Sequence, residues 1–159
     1  MWYFNMKYPI NRGKWKIHIQ NIILSAIILT FSLLAVNIQA DIVVVVNPEN
    51  PIHSLSKKDV QRLFLGRMHK FPDSDMKVEP IDNSEKSDDY ENFYSNVINM
   101  NKSKLKRYRA HYLFSGKGRL PTQIKSTLNI VQYVSTTRNA IAYMDKNQVT
   151  EKVKIVYSY

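Results

Sequence analysis

The run Ile42-Val43-Val44-Val45-Val46 stops at Asn47-Pro48-Glu49-Asn50-Pro51. Five consecutive β-branched residues with no polar residue between them specify a strand buried on both faces, as in an α/β sheet covered by helices. Two prolines and two asparagines in the next five positions cannot continue a ladder, so the strand ends there. A single short domain with such a central strand needs helices on either side of it, and the residues downstream supply them.

Ser56 caps a helix start at Ser56-Lys57-Lys58-Asp59, with the Asp59 carboxylate near the positive end of the dipole. Val60, Leu63 and Phe64 form its apolar stripe and Gly66 ends it. Phe71 to Asp75 reads as a turn. Val78 to Ile81 reads as a second strand, where Pro80 points to an edge or a strand end. The polar stretch Asn83 to Asp89 leads into a helix carrying Tyr90, Phe93, Tyr94, Val97 and Ile98. A further helix is predicted from Ser103 to about Phe114, with Leu105, Tyr108, Tyr112 and Leu113 inward and Lys104, Lys106, Arg107 and Arg109 outward. The segment Ser115 to Pro121 holds two of the four glycines and reads as a flexible loop. Ser126 or Thr127 starts a helix with Ile130, Val131 and Val134, and Ala140 to Met144 and Val153 to Tyr157 are closing strands. The order implies an α/β fold, a mixed sheet flanked by helices.

Upstream of the central strand the composition changes. Lys7, Arg12, Lys14 and Lys16 precede an apolar run from Ile22 to Val36, then Asn37-Ile38-Gln39-Ala40, with no acidic residue before Asp41. That order is a secretory leader, with cleavage expected after Ala40. The apolar run has 15 residues, short of the ~20 of a membrane span, so an uncleaved anchor is the weaker alternative. Met6 is an alternative start, and the absence of cysteine excludes a lipid-anchored form. The expected organisation is therefore residues 1–40 as leader and 41–159 as one domain, exported to the periplasm. With the four leader cations set aside, the formal net charge of +10 falls to +6 for residues 41–159. Without cysteine there is no disulfide, no thiolate metal site and no cysteine nucleophile.

Chemistry-bearing clusters are sparse. His53, His69 and His111 fall on three separate elements, away from metal-ligand spacing. The acids Asp82, Glu85, Asp88, Asp89 and Glu91 lack the alternating Asx loop of a calcium hand and suit the first turn of a helix. The loop Ser115-Gly116-Lys117-Gly118-Arg119 offers flexible backbone N–H groups and two cations to an anion, yet it lacks phosphate-loop spacing. A solvated basic turn describes it equally well. The run Lys102 to Arg109 could meet nucleic acid or anionic lipid; an exposed helix face and an exported chain argue for a solvated surface and no nucleic-acid partner. No nucleophile–base pair appears, so an enzyme is not expected, and no cofactor is implied.

Taken in order, several segments carry a resemblance. These are Val44 to Pro51, Leu55 to Asp59, Leu63 to Arg67, Phe71 to Asp73, Val78 to Asp82, Phe93-Tyr94, Phe114 to Gly118 and Ala140 to Tyr143. The string resembles the short periplasmic-binding-protein-like family related to the phosphate-binding subunit of ABC phosphate importers. The resemblance implies one lobe of a type II periplasmic binding fold and a substrate-binding role, with phosphate or another small oxyanion as ligand. It also implies that the lobe preceding Asn47-Pro48-Glu49-Asn50-Pro51 in the longer relatives is absent here. Where those relatives carry an Arg and then Ser-Gly-Thr before a helix, this chain has Asp82 and then only Ser87. Asp88 and Asp89 would repel a phosphate there, while Lys86 compensates in part. Ser84, Lys86 and Ser87, with Ser115, Gly116, Lys117, Gly118 and Arg119, are thus the candidate anion contacts. The alternative expectation is a lobe that binds no ligand and contacts an envelope transporter or sensor, with the membrane met only through the leader.

Overall fold

The computed structural model describes residues 41–116 and 119–159. The expected leader and its cleavage point lie outside the described residues, as do Lys117 and Gly118. Among the described residues no helix is long and apolar enough to cross a membrane.

Five strands form one mixed sheet: β1 (Ile42–Val46), β2 (Glu79–Asp82), β3 (Thr122–Gln123), β4 (Ala140–Asp145) and β5 (Lys154–Ser158), in the spatial order β3-β2-β4-β1-β5. β2 runs parallel to β3 and β4, while β1 is antiparallel to both β4 and β5. The register sets Val44 opposite Tyr143 and Val45 opposite Ala142.

All five residues of β1 are fully buried, as the unbroken apolar run requires. Side chains alternate across a strand, and here each face has its own core. Ile42, Val44 and Val46 join Leu63, Phe64, Phe93, Leu105 and Tyr143 on one face. Val43 and Val45 join Ile130, Val131, Val134 and Met144 on the other. The first core is covered by α1 (Lys57–Phe64), α2 (Asp88–Asn92) and α3 (Lys102–Phe114), and the second by α4 (Thr127–Thr136). The result is three layers, the mixed sheet flanked by helices that the pattern implies.

Local chemistry explains the helix ends. The Ser56 hydroxyl accepts from the Asp59 N–H at 3.2 Å and caps α1. Gly66 follows α1 with φ +73, the left-handed conformation glycine adopts without penalty. α2 widens directly into a π-helical turn, Phe93–Val97, in which the Ile98 N–H donates to the Phe93 carbonyl at 3.1 Å. Phe93 and Tyr94, adjacent in sequence, are both buried there.

Four expectations need correction. β3 was not expected: two exposed residues carry no apolar alternation to read. β2 is interior, so of the two places expected for Pro80 the edge is corrected and the strand end stands: β3 pairs only with Ile81 and Asp82, and no β3 partner lies opposite Pro80. Leu113, expected inward, is 52% exposed, and Arg109, expected outward, faces the core. Arg109 lies four residues after buried Leu105, one helical turn along the same stripe. Its charge is tolerated because a buried carboxylate meets it.

Candidate functional site

In sheets with parallel strands, ligands collect outside the carboxyl ends of those strands. In this fold that edge is marked by Asp82 at the end of β2, Gln123 at the end of β3 and Asp145 at the end of β4. Asn83 ties the edge together. Its Nδ2 donates to the Tyr143 carbonyl at 2.9 Å, and its own carbonyl accepts from Gln123 Nε2 at 3.1 Å.

Asp82 is the centre of the arrangement. Its side chain is 3% exposed and accepts from Arg109 Nη2 at 2.6 Å on Oδ2. Oδ1 accepts from the Tyr94 hydroxyl at 2.9 Å and the Tyr143 hydroxyl at 3.0 Å. Arg109 also donates through Nη2 to the Tyr94 hydroxyl at 2.7 Å and through Nη1 to the Tyr90 hydroxyl at 3.1 Å. Its guanidinium carbon lies 5.0 Å from the Tyr94 ring centre, within cation–π range. Glu85, mostly exposed, stands 3.9 Å from Nη1 on the solvent side.

Burial pushes the Asp82 carboxyl above its ordinary value, and the Arg109 charge with the hydroxyl donors pulls it back. Burial works against the charge on Arg109, yet Tyr94, Asp82 and Tyr90 around it raise its pKa overall. The Tyr90 phenol is pushed up to about 12, mainly by burial, and Tyr94 and Tyr143 lie well above the usual tyrosine value for the same reason. The three phenols are thus neutral and the guanidinium charged at neutral pH, and the 2.6 Å pairing with Arg109 favours the carboxylate form of Asp82.

The rim of this edge is acidic. Asp89 is raised by burial, with the charges of Asp145 and Asp88 adding to the effect. Glu85 and Asp88 are exposed beside it. The expected contacts Ser84 and Ser87 lie in the same turn, and both oxygens accept from its backbone, Ser87 donating to it as well. Ser87 Oγ donates to the Ser84 carbonyl at 2.9 Å and accepts from the Tyr90 N–H at 3.2 Å, capping α2. Ser84 Oγ accepts from the Lys86 N–H at 3.4 Å. Lys86 is exposed.

The second expected segment lies elsewhere. Ser115 caps the end of α3, where its N–H reaches the His111 carbonyl at 3.1 Å, and Gly116 follows with φ +67. Gly116 and Arg119 line a groove of about 740 Å³ with Gly66, His69, Lys77, Glu79 and Asn139, at the opposite, amino-terminal end of β2 and β4. Ser84, Lys86 and Ser87 do not line it. The groove carries Lys77 and Arg119 against one acid, Glu79, whose Oε1 accepts from the Tyr133 hydroxyl at 2.6 Å. Two of the expected contacts, Lys117 and Gly118, lie outside the described residues.

Among the described residues, no three His, Asp or Glu side chains gather as a metal ion would require. Arg109 was missed as a site residue because residue type outweighed periodicity. Its spacing from Leu105 was the available clue.

No protein-family model matches the chain, and no curated protein sequence does. Solved structures do match. A phosphate transport receptor of the ABC type from Vibrio cholerae superposes with TM-score 0.60 at 15% identity, over 74% of this chain and 45% of that one. A substrate-binding protein assigned to phosphate ABC transport and solved with bound phosphate, from Clostridium perfringens, gives 0.59 at 14%, over 74% and 44%. PstS from Borrelia burgdorferi gives 0.54 at 16%, over 74% and 46%. The chain therefore shares the fold of part of these phosphate-transport proteins, a mixed sheet flanked by helices like one lobe of a type II periplasmic binding protein, and spans less than half their length.

Proposed function

We propose that this chain is a non-enzymatic, substrate-binding-protein-like module of the phosphate ABC transporter type, exported to the periplasm through residues 1–40. It works there through contact with a transporter or sensor protein and carries no free anion between its strand ends. One observation supports this above the others: Arg109, the largely buried cation at the carboxyl edge of the parallel strands, is already paired with Asp82 at 2.6 Å. A free oxyanion at that edge would have to displace a buried carboxylate and approach Glu85, Asp88 and Asp89. The hydroxyls that face Asp82 are phenols held neutral, which supports a binding role over chemistry.

A second reading keeps a small oxyanion ligand, phosphate included, in the other groove. The presence of both Lys77 and Arg119 on its walls favours that reading.

Thermal unfolding of the purified protein separates the two. Millimolar phosphate is compared with chloride at equal ionic strength, because a specific ligand stabilises by mass action while salt alone acts on both states. The partner reading expects equal midpoints. A phosphate-specific rise of several degrees that Arg119→Ala abolishes would establish the groove reading and overturn the first.

A further inference from the structure

The hydrogen-bond polarity around Asp82 is fixed by its neighbours. The Tyr94 hydroxyl accepts from Arg109 Nη2, and the Tyr143 hydroxyl accepts from the Asn83 N–H at 3.3 Å. Each phenol has one proton, and with an N–H donor already on its oxygen that proton is left for Asp82 Oδ1. Arg109, which can only donate, takes Oδ2. The pocket around this carboxylate therefore presents donors alone and demands an acceptor-only group. Its walls are firm: Phe93 and Tyr143 stack with ring centres 3.8 Å apart and planes within 5°. Tyr94 packs edge-on against Phe93 at 5.2 Å. Among the described residues, no buried side-chain polar atom lacks a partner, so the network around Asp82 is complete with its carboxylate in place.

We propose that Asp82 is a built-in ligand: Arg109, Tyr94 and Tyr143 form a carboxylate seat that the chain fills with its own side chain, and formate or a similarly small planar carboxylate will take that seat once the side chain is removed. The seat has the size and planarity of one carboxylate, so tetrahedral phosphate is a poor substitute. In the native chain the tethered carboxylate is always at hand, and an external anion competes against a very high effective concentration. The native protein is accordingly indifferent to formate.

The test compares thermal unfolding midpoints in sodium formate and sodium chloride at equal concentration and neutral pH. The native protein, Asp82→Ala, Asp82→Asn and the double variant Asp82→Ala/Arg109→Met are measured. Asp82→Ala should melt several degrees lower in chloride and recover in formate with a saturable dose dependence, but not in phosphate. The native protein and the double variant should show no difference between the salts. Asp82→Asn keeps the shape but turns an amide N–H₂ toward donors, so it should melt below the native protein and ignore formate. Equal midpoints for folded Asp82→Ala in both salts, or a native protein that gains as much from formate, would overturn the proposal. Should Asp82→Ala be unfolded in chloride, refolding in formate, seen as recovered far-UV circular dichroism, supports the seat; failure in both salts overturns it. Asp82→Asn with native stability overturns it independently. None of these outcomes depends on whether the groove of Lys77 and Arg119 binds phosphate.

Discussion

Asn47 Nδ2 lies 2.8 Å from the carbonyl oxygen of Ser135, 88 residues further along the chain, and 3.0 Å from that of Val134. These carbonyls belong to the last turn of α4, which has no intrahelical donors left for them. Asn50, 1% exposed, does the same for Arg138 at 2.9 Å. The Asn-Pro-x-Asn-Pro segment is thus a clasp on the far helix as well as the end of β1. Asn47→Ala should cost about 1–3 kcal/mol, since it strands buried carbonyls. Urea unfolding would show this as a lower midpoint with an unchanged slope. A native midpoint would mean that water replaces the amide.

Arg109→Met should cost about 3–5 kcal/mol, because the buried Asp82 carboxylate loses its countercharge. Removing both partners should cost less than the sum of the single changes. The deficit of Arg109→Met should shrink in acid. Burial raises the folded-state pKa of Asp82 and Arg109 lowers it, so without Arg109 it rises further above the unfolded value and the variant gains more stability than the native protein as pH falls through that range. Urea titrations at neutral and acidic pH check it. A deficit independent of pH would place the loss in packing alone.

Gly66→Ala combines two costs. The residue has φ +73, and a Cβ there would meet the Tyr112 ring at 2.8 Å and the Arg119 carbonyl at 3.3 Å. The Tyr112 hydroxyl also donates to the Gly66 carbonyl, so the ring cannot swing aside without losing that bond. A loss of about 1–3 kcal/mol is expected. Thermal unfolding of the variant measures it, and a loss below about 0.5 kcal/mol would show that α3 shifts to make room.

Alkali should unfold the protein through its buried phenols. Tyr90 is pushed from 10.0 up to about 12, and Tyr94 and Tyr143 lie higher than usual, so folding favours their protonated forms. That contribution is intact below pH 10 and is lost as pH rises through about 12. The buried part of the phenolate absorbance should appear only as circular dichroism collapses. Full phenolate absorbance in a folded protein would contradict the burial of the cluster.

Much of the architecture was legible because it follows from strong local patterns. Ile42 to Val46 announced a strand covered on both faces, and Ser56, Asp59 and Gly66 marked the limits of a helix. β3 has only Thr122 and Gln123, too short to show a period. The π turn at Phe93–Val97 depends on one shifted hydrogen bond that helical spacing does not reveal. The site was less legible still. Ser87 looks like a ligand hydroxyl until the turn that engages it is seen. Arg109 looks like a surface charge until Asp82, brought to it from β2, supplies its partner. Pairs of this kind are written in tertiary contact, and composition carries no trace of them.

The position of β1 bears on when the chain can fold. β1 lies between β4 and β5, so the first strand of the described residues hydrogen-bonds only to the last two. Its ladders close loops of roughly a hundred residues, and such non-local pairing slows folding. During synthesis at about 5–20 residues per second, Ile42 to Val46 stay without partners for several seconds until β4 and β5 emerge. An apolar strand left unpaired for that long is exposed to aggregation, and the fold cannot close until the last strand of the described residues has been made.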